Sequence, residues 1–196
     1  MNDTVRMHLE GHQQVMRQVA AELPAVIAAA GELLVHSLAD GGKLLILGNG
    51  GSAADAQHFA AELVGRYRRE RNPLPAIALT TDTSILTAVG NDYGYEVIFR
   101  RQVEALARTG DVVCGISTSG NSANVMQALE AAREMGCRTL VLTGAGGGTM
   151  AALADVAVVV PSAQTPHVQE AHLAIIHILC DLVEQASLRS CVESCR

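Results

Sequence analysis

The chain has 196 residues, enough for one domain with a helix or two added rather than for two full domains. Apolar residues make up 49% and aromatics 3%, with no Trp, so the core rests on Ala, Val, Leu and Ile and a base-stacking nucleic-acid platform is disfavoured. A net charge of −6, with no basic run beyond the short Arg66 to Arg69 stretch, argues against a phosphate-backbone partner.

The first residues, MNDTVRMHLEGHQQ, hold no apolar core of a signal peptide, and no stretch reads as long enough to span a bilayer. The expected location is the cytoplasm, with no membrane partner. From Thr4 to Leu38 apolar residues recur at helical spacing (Val15, Val19, Leu23, Ile27, Leu34), broken once at Glu22-Leu23-Pro24. Two helices are therefore expected over residues 1–40.

From Gly41 onward one unit repeats: a short apolar run, a small-residue turn, an amphipathic segment. The runs are Leu44 to Leu47, Ala76 to Leu79, Val112 to Ile116, Thr139 to Leu142 and Val156 to Val160. Continuous apolar runs of this length suit strands buried on both faces. Helices are expected at Ser52 to Arg66, Ile85 to Ala107 with a break near Gly90 to Gly94, Ser122 to Met135, Met150 to Leu153, and Val168 to Gln185. The alternation predicts an α/β fold: five parallel strands with helices on both faces, preceded by a helical extension. It is a single domain, with residues 41–188 as the core and 189–196 as a polar tail. Ligands in such folds bind beyond the carboxyl ends of the strands.

Five cysteines occur. Cys114, Cys137 and Cys180 sit in apolar runs and read as buried reduced thiols. Cys191 and Cys195 lie in the tail at i, i+4, and a reduced tail is favoured there over a metal site or a disulfide.

Three turns follow strands. Gly48-Asn49-Gly50-Gly51-Ser52 lets backbone approach a ligand at a helix start, although taken alone a tight turn with Ser52 as cap is the better explanation, because Gly-rich turns are common. Ser117-Thr118-Ser119-Gly120-Asn121-Ser122 carries four hydroxyls, more than one cap demands, and a phosphate group would use them with the backbone amides. Neither turn matches the nucleotide-binding loop or the dinucleotide fingerprint, which favours a small phosphorylated sugar. Gly144 to Gly148 reads as a flexible connection. Asn91-Asp92 either binds sugar hydroxyls or makes a local turn. His58 and Glu62 share a helix face at i, i+4, a pattern as common in solvated pairs as in sites. Gln169, Glu170, His172 and His177 stand in an apolar helix, and a core histidine bonded to backbone is an equal alternative for His177.

The segments GNGGSAADAQHFAAEL, NDYGYE, ISTSGNSANV, LTGAGGG and PSAQTPHVQEAHLAIIHIL together resemble the sedoheptulose-7-phosphate isomerases, the phosphoheptose isomerases of the sugar-isomerase (SIS) fold. The resemblance is collinear from about Gly41 to Glu184. It implies an enzyme that converts sedoheptulose 7-phosphate to a heptose 7-phosphate for lipopolysaccharide precursor synthesis. It implies substrate contacts from Asn49, Gly50, Gly51, Ser52, Asn91 and Asp92, and a phosphate grip from Ser117, Thr118, Ser119 and Ser122. It further implies one zinc per subunit on His58, Glu62, Gln169 and His177, with Glu62 and Gln169 also touching the sugar. Glu62 and His177 correspond to the acid/base pair, and the assembly implied is a homo-tetramer. Some members carry an Asp shortly before the Gln, where this chain has Thr165-Pro166-His167.

A related branch resembles a replication-initiator-associating scaffold that lacks the Glu and the late His, and both are present here as Glu62 and His177. A sugar-phosphate sensor and an SIS isomerase for hexose or pentose phosphates remain open alternatives. At a rise of about 1.5 Å per residue, Gln169 and His177 stand about 12 Å apart along a straight helix. One ion takes both if Gln169 precedes the helix proper, or if one of them comes from a neighbouring chain.

Overall fold

A computed structural model describes the backbone of residues 1–194 and the side chains of residues 1–189. Each apolar run forms a strand: β1 (Leu44–Gly48), β2 (Ala76–Ala78), β3 (Val112–Ser117), β4 (Arg138–Thr143) and β5 (Val156–Val159). All neighbours pair in parallel, in the order β2-β1-β3-β4-β5. Successive side chains of a strand point to opposite faces, and here both faces are covered. Leu44 and Ile46 enter one buried cluster while Leu45 and Leu47 enter the other. The runs are continuously apolar for that reason.

Among the described residues seven helices flank the sheet: α1 (Asn2–Glu22), α2 (Pro24–Ala39), α3 (Gly51–Val64), α4 (Thr83–Tyr93), α5 (Arg100–Leu106), α6 (Ala123–Glu134) and α7 (Thr165–Ser194). Residues of α2, α3 and α7 fill the cluster on one face, and those of α5 and α6 the cluster on the other. α1 docks through Val15 and Val19. It meets α2 at 72°, where Pro24 starts the second helix at a position that needs no N–H partner. The break after β2 falls at Gly94, followed by a 3-10 turn over Tyr95–Val97. Met150–Leu153, expected as a helix, is a 3-10 turn.

α7 departs from expectation in length. It starts at Thr165, because Pro166 is tolerated in a first turn, and it runs through Ser194 instead of stopping near Gln185. By length and composition it reaches what a membrane span needs, which corrects the reading that no stretch does. Its face bearing Val168, Ala171, Ile175, Leu179 and Val183 is nonetheless buried in the core of the fold. Cys114, Cys137 and Cys180 are free and buried as expected, and burial pushes the Cys114 and Cys180 thiols up to about 12. The expectations for Cys191 and Cys195 fall outside the described side chains.

Candidate active site

The sheet order reverses between β1 and β3, and ligands of such sheets sit in the crevice that opens there. The Gly-rich turn leaves β1 and the hydroxyl turn leaves β3. Gly48 is paired with Ile116, so the two turns emerge side by side.

Ser117 is the hub of the hydroxyl turn, with its Oγ 2.8 Å from Ser122 Oγ and 3.4 Å from Ser119 Oγ. Ser122 occupies the N-cap of α6, yet its side chain makes no capping bond. The hydroxyls are clustered with one another instead of being consumed by the helix start. Thr118, half-buried, completes the set. Such a cluster at a helix N-terminus suits a phosphate group.

The Gly144 to Gly148 segment is a buttress, not the flexible connection expected. Gly144 N donates to Thr118 O (3.1 Å), Met150 N to Gly120 O (2.9 Å), and Thr149 N and Oγ1 to Asn121 Oδ1 (3.0 and 3.1 Å). A Cβ on Gly148 would stand 2.5 Å from Gly120 O and 2.7 Å from Ser119 O. Glycine lets the two turns stack backbone on backbone, which holds the hydroxyl turn in place.

In the Gly-rich turn, α3 opens with Gly50 at its N-cap and no side-chain cap, so the capping alternative for the buried Ser52 does not hold. Asn49 exchanges two amide hydrogen bonds with Asn124, each 2.9 Å, and its Oδ1 also accepts from the Tyr95 hydroxyl at 3.0 Å. Neither Asn124 nor Tyr95 stands out in the sequence, because nothing local marks a side chain that reaches 75 or 46 residues back. Asn91 and Asp92 are exposed at the end of α4 and bond to each other at 2.8 Å.

α7 lies beside α3 and brings His177 to His58, with Nε2 atoms 2.8 Å apart and ring centroids 5.0 Å apart. Glu62 Oε1 lies 3.7 Å from the same His58 Nε2. His58 is therefore the common member of a row of three. Two imidazole nitrogens that close need a shared proton or cation between them. The donors, two imidazoles and a carboxylate, are of the kind zinc takes. Among the described residues, however, no three such side chains converge on one closed metal site. Gln169 lies within α7, not before it, and its amide carbon packs 2.9 Å from where a Gly51 Cβ would be. Within one chain it thus borders the Gly-rich turn, while His177 borders His58 about 10 Å further along α3.

The core-histidine description belongs to His172, not to His177. His172 is fully buried with Nε2 3.1 Å from Thr143 O, and burial holds its pKa down at about 4. His177 is only half-buried. Glu170 is exposed and its Oε2 gathers His12 Nδ1 (2.9 Å) and His167 Nδ1 (3.0 Å), a clamp between α1 and α7. Two carboxylates escape sequence reasoning. Asp55, one turn before His58, has a buried Oδ2 without a partner, and burial lifts its pKa to about 6 although the nearby His58 opposes this. Glu184 is fully buried against the loop that follows α3.

A family model described as the SIS domain matches residues 8–144. The phosphoheptose isomerase of Geobacter sulfurreducens is 62% identical over 185 residues, covering 94% of this chain and 98% of the relative. The chain belongs to the phosphoheptose isomerases of the SIS domain family. Solved phosphoheptose isomerases agree. That of Neisseria gonorrhoeae is 46% identical with a TM-score of 0.90, covering 94% of this chain and 98% of its own. That of Francisella tularensis is 41% identical with a TM-score of 0.91, covering 93% and 97%.

Proposed function

We propose that this phosphoheptose isomerase interconverts sedoheptulose 7-phosphate and D-glycero-D-manno-heptose 7-phosphate, in the cytoplasm, to supply heptose precursors. The observation that carries the reading is the meeting of Glu62, His58 and His177 at the α3–α7 seam. The scaffold branch lacks this acid/base pair and a sensor would not need it. The substrate's phosphate end is assigned to Ser117, Thr118, Ser119 and Ser122, and its sugar end to the Gly50-Gly51 turn, Ser52, Gln169 and the Asn91-Asp92 pair.

The reaction moves two protons. Glu62 takes the proton from C1 of the ketose while the C1–H electron pair becomes the C1=C2 bond of an enediol. His177 donates a proton to the C2 carbonyl oxygen as the C=O bond opens. Glu62 then returns its proton to C2, and His177 takes the proton from the C1 hydroxyl, leaving the aldehyde. His58 supports His177 by orienting its imidazole across the 2.8 Å contact. His58, Glu62 and His177, with Gln169 of a neighbouring copy, would hold a zinc ion, which would supply carbonyl polarisation and alignment of the hydroxyls. The separation of Gln169 from His177 within one chain supports a site completed by a neighbouring copy, and the homo-tetramer is the assembly that the family resemblance implies. A catalytically active monomer in sedimentation would contradict that assembly.

The deciding experiment follows sedoheptulose 7-phosphate with the purified protein by NMR. Appearance of the aldose signal is the expected result. Binding without conversion would replace the isomerase by a sensor.

A further inference from the structure

The helix α3 that carries Glu62 ends at Val64, and its last carbonyls need donors from outside the helix. Arg71 supplies them. Its guanidinium donates to Glu62 O (2.8 Å), Leu63 O (2.8 Å) and Gly65 O (3.3 Å), and also to Asn72 O (2.9 Å). The same guanidinium faces the Glu184 carboxylate, with Nε 3.6 Å from Oε2. Both side chains are almost sealed from solvent, Glu184 at 0% exposure and Arg71 at 2%. Glu184 lies on α7 two turns beyond His177, on the same side of the helix.

The carboxylate also accepts three successive backbone amides of the loop: Tyr67 N (3.1 Å), Arg68 N (3.1 and 3.2 Å) and Arg69 N (2.8 Å). This folds the loop back over α7, so that the Tyr67 ring lies on the His177 imidazole, centroids 5.4 Å apart and planes tilted by 30°. His177 is thereby held between Tyr67 and His58. A buried ion pair adds little net stability over well-packed apolar residues, so its value here is geometric.

We infer that Glu184 is a positioning residue for the isomerisation: through Arg71 it ties the Glu62 end of α3 to α7, and through the 67–69 amides it seats Tyr67 on His177. The inference rests on Glu62 and His177 being the proton-transfer pair, and it adds Glu184, Arg71 and Tyr67 as the groups that place them. Misplacement of a reacting group by about 1 Å costs up to about 100-fold in rate.

The test uses the 196-residue chain, the single variants Glu184→Gln, Tyr67→Leu and Tyr67→Phe, and the double variant of the first two. Glu184→Gln keeps the shape but turns an NH2 group toward amides that need acceptors. In it kcat is expected to fall about 10- to 100-fold with KM within about twofold, because the phosphate grip lies on other turns. Tyr67→Leu should fall by no more than Glu184→Gln, Tyr67→Phe should recover most of the loss, and adding Tyr67→Leu to Glu184→Gln should cost little beyond Glu184→Gln alone, because Tyr67 is already unseated there. Independently of turnover, the His177 imidazole NMR signals of ligand-free, metal-free protein should move in Glu184→Gln and in Tyr67→Leu as the stacked ring leaves. A wild-type His177 signal together with wild-type kcat in either variant overturns the inference. If Glu184→Gln does not fold, Tyr67→Leu and Tyr67→Phe carry the same two readouts. If wild-type protein converts no substrate, the isomerase reading fails, while the imidazole signals still decide whether Glu184 and Tyr67 place His177.

Discussion

Replacing Gly148 by Ala would drive a methyl group into the backbone of the phosphate turn. The new Cβ would stand 2.5 Å from Gly120 O and 2.7 Å from Ser119 O, against an ordinary contact of 3.4 Å, so the turns must part by 0.7–0.9 Å (3.4 − 2.7 and 3.4 − 2.5). No flexible side chain lies there to give way. Gly148 also sits at φ +56°, where a Cβ costs about 1–2 kcal/mol. Overpacking adds about 1–3 kcal/mol, for a total of about 2–5 kcal/mol. For a chain of this size that lowers Tm by about 4–20 °C. On the proposed phosphate grip, displacing Ser119 removes a hydrogen bond to a charged group, about 1.5–3 kcal/mol, and so raises KM by about 10- to 150-fold. Gly146→Ala is the control: φ is +78° but nothing lies within 4 Å of its Cβ, so only the backbone strain applies and KM stays put. Thermal melts and initial-rate kinetics on sedoheptulose 7-phosphate separate the two variants. A Gly148→Ala protein with wild-type KM and a Tm loss no larger than that of Gly146→Ala would refute the buttress.

Glu62→Gln keeps size and an oxygen donor but removes the proton acceptor, so turnover should fall at least ~10²-fold with a much smaller change in KM. Zinc content is measured alongside, and near-normal turnover with zinc retained would show that the base is another group. Chelation should abolish activity and added zinc restore it at about one ion per subunit, whereas a fully active metal-free preparation would rule out an essential ion. Asp55 gives a pH signature in metal-free protein. Its folded pKa is raised from 3.8 to about 6, so the folded chain binds more protons than the unfolded one in that window, and this group's contribution to stability falls as pH rises through it. Asp55→Asn should therefore stabilise the fold more at pH 7.5 than at pH 4, by about 1 kcal/mol once solvent screening of a half-exposed group is allowed for, with Tm rising accordingly. Equal changes at both pH values would contradict this.

The sequence by itself determined the five strands, because a strand covered on both faces must be apolar at every position. It determined the hydroxyl turn as a candidate phosphate site, because Ser117, Thr118, Ser119 and Ser122 exceed what capping needs. It placed His58 with Glu62, since helical period alone sets i, i+4 neighbours on one face. Roles for Gln169 and His177 came from family resemblance and not from any local pattern. Tertiary structure alone decided that His177 meets His58 across 119 residues, and that His172 is the sealed core histidine on the same helix. It alone turned the Gly144 to Gly148 connection into a support for Gly120, and brought Glu184 to the amides of Tyr67, Arg68 and Arg69. The physical reason is the same in each case. Periodicity and turn chemistry act over a few residues, but which helix lies beside which is settled by strand order and by the packing of α3 and α7 on one face of the sheet.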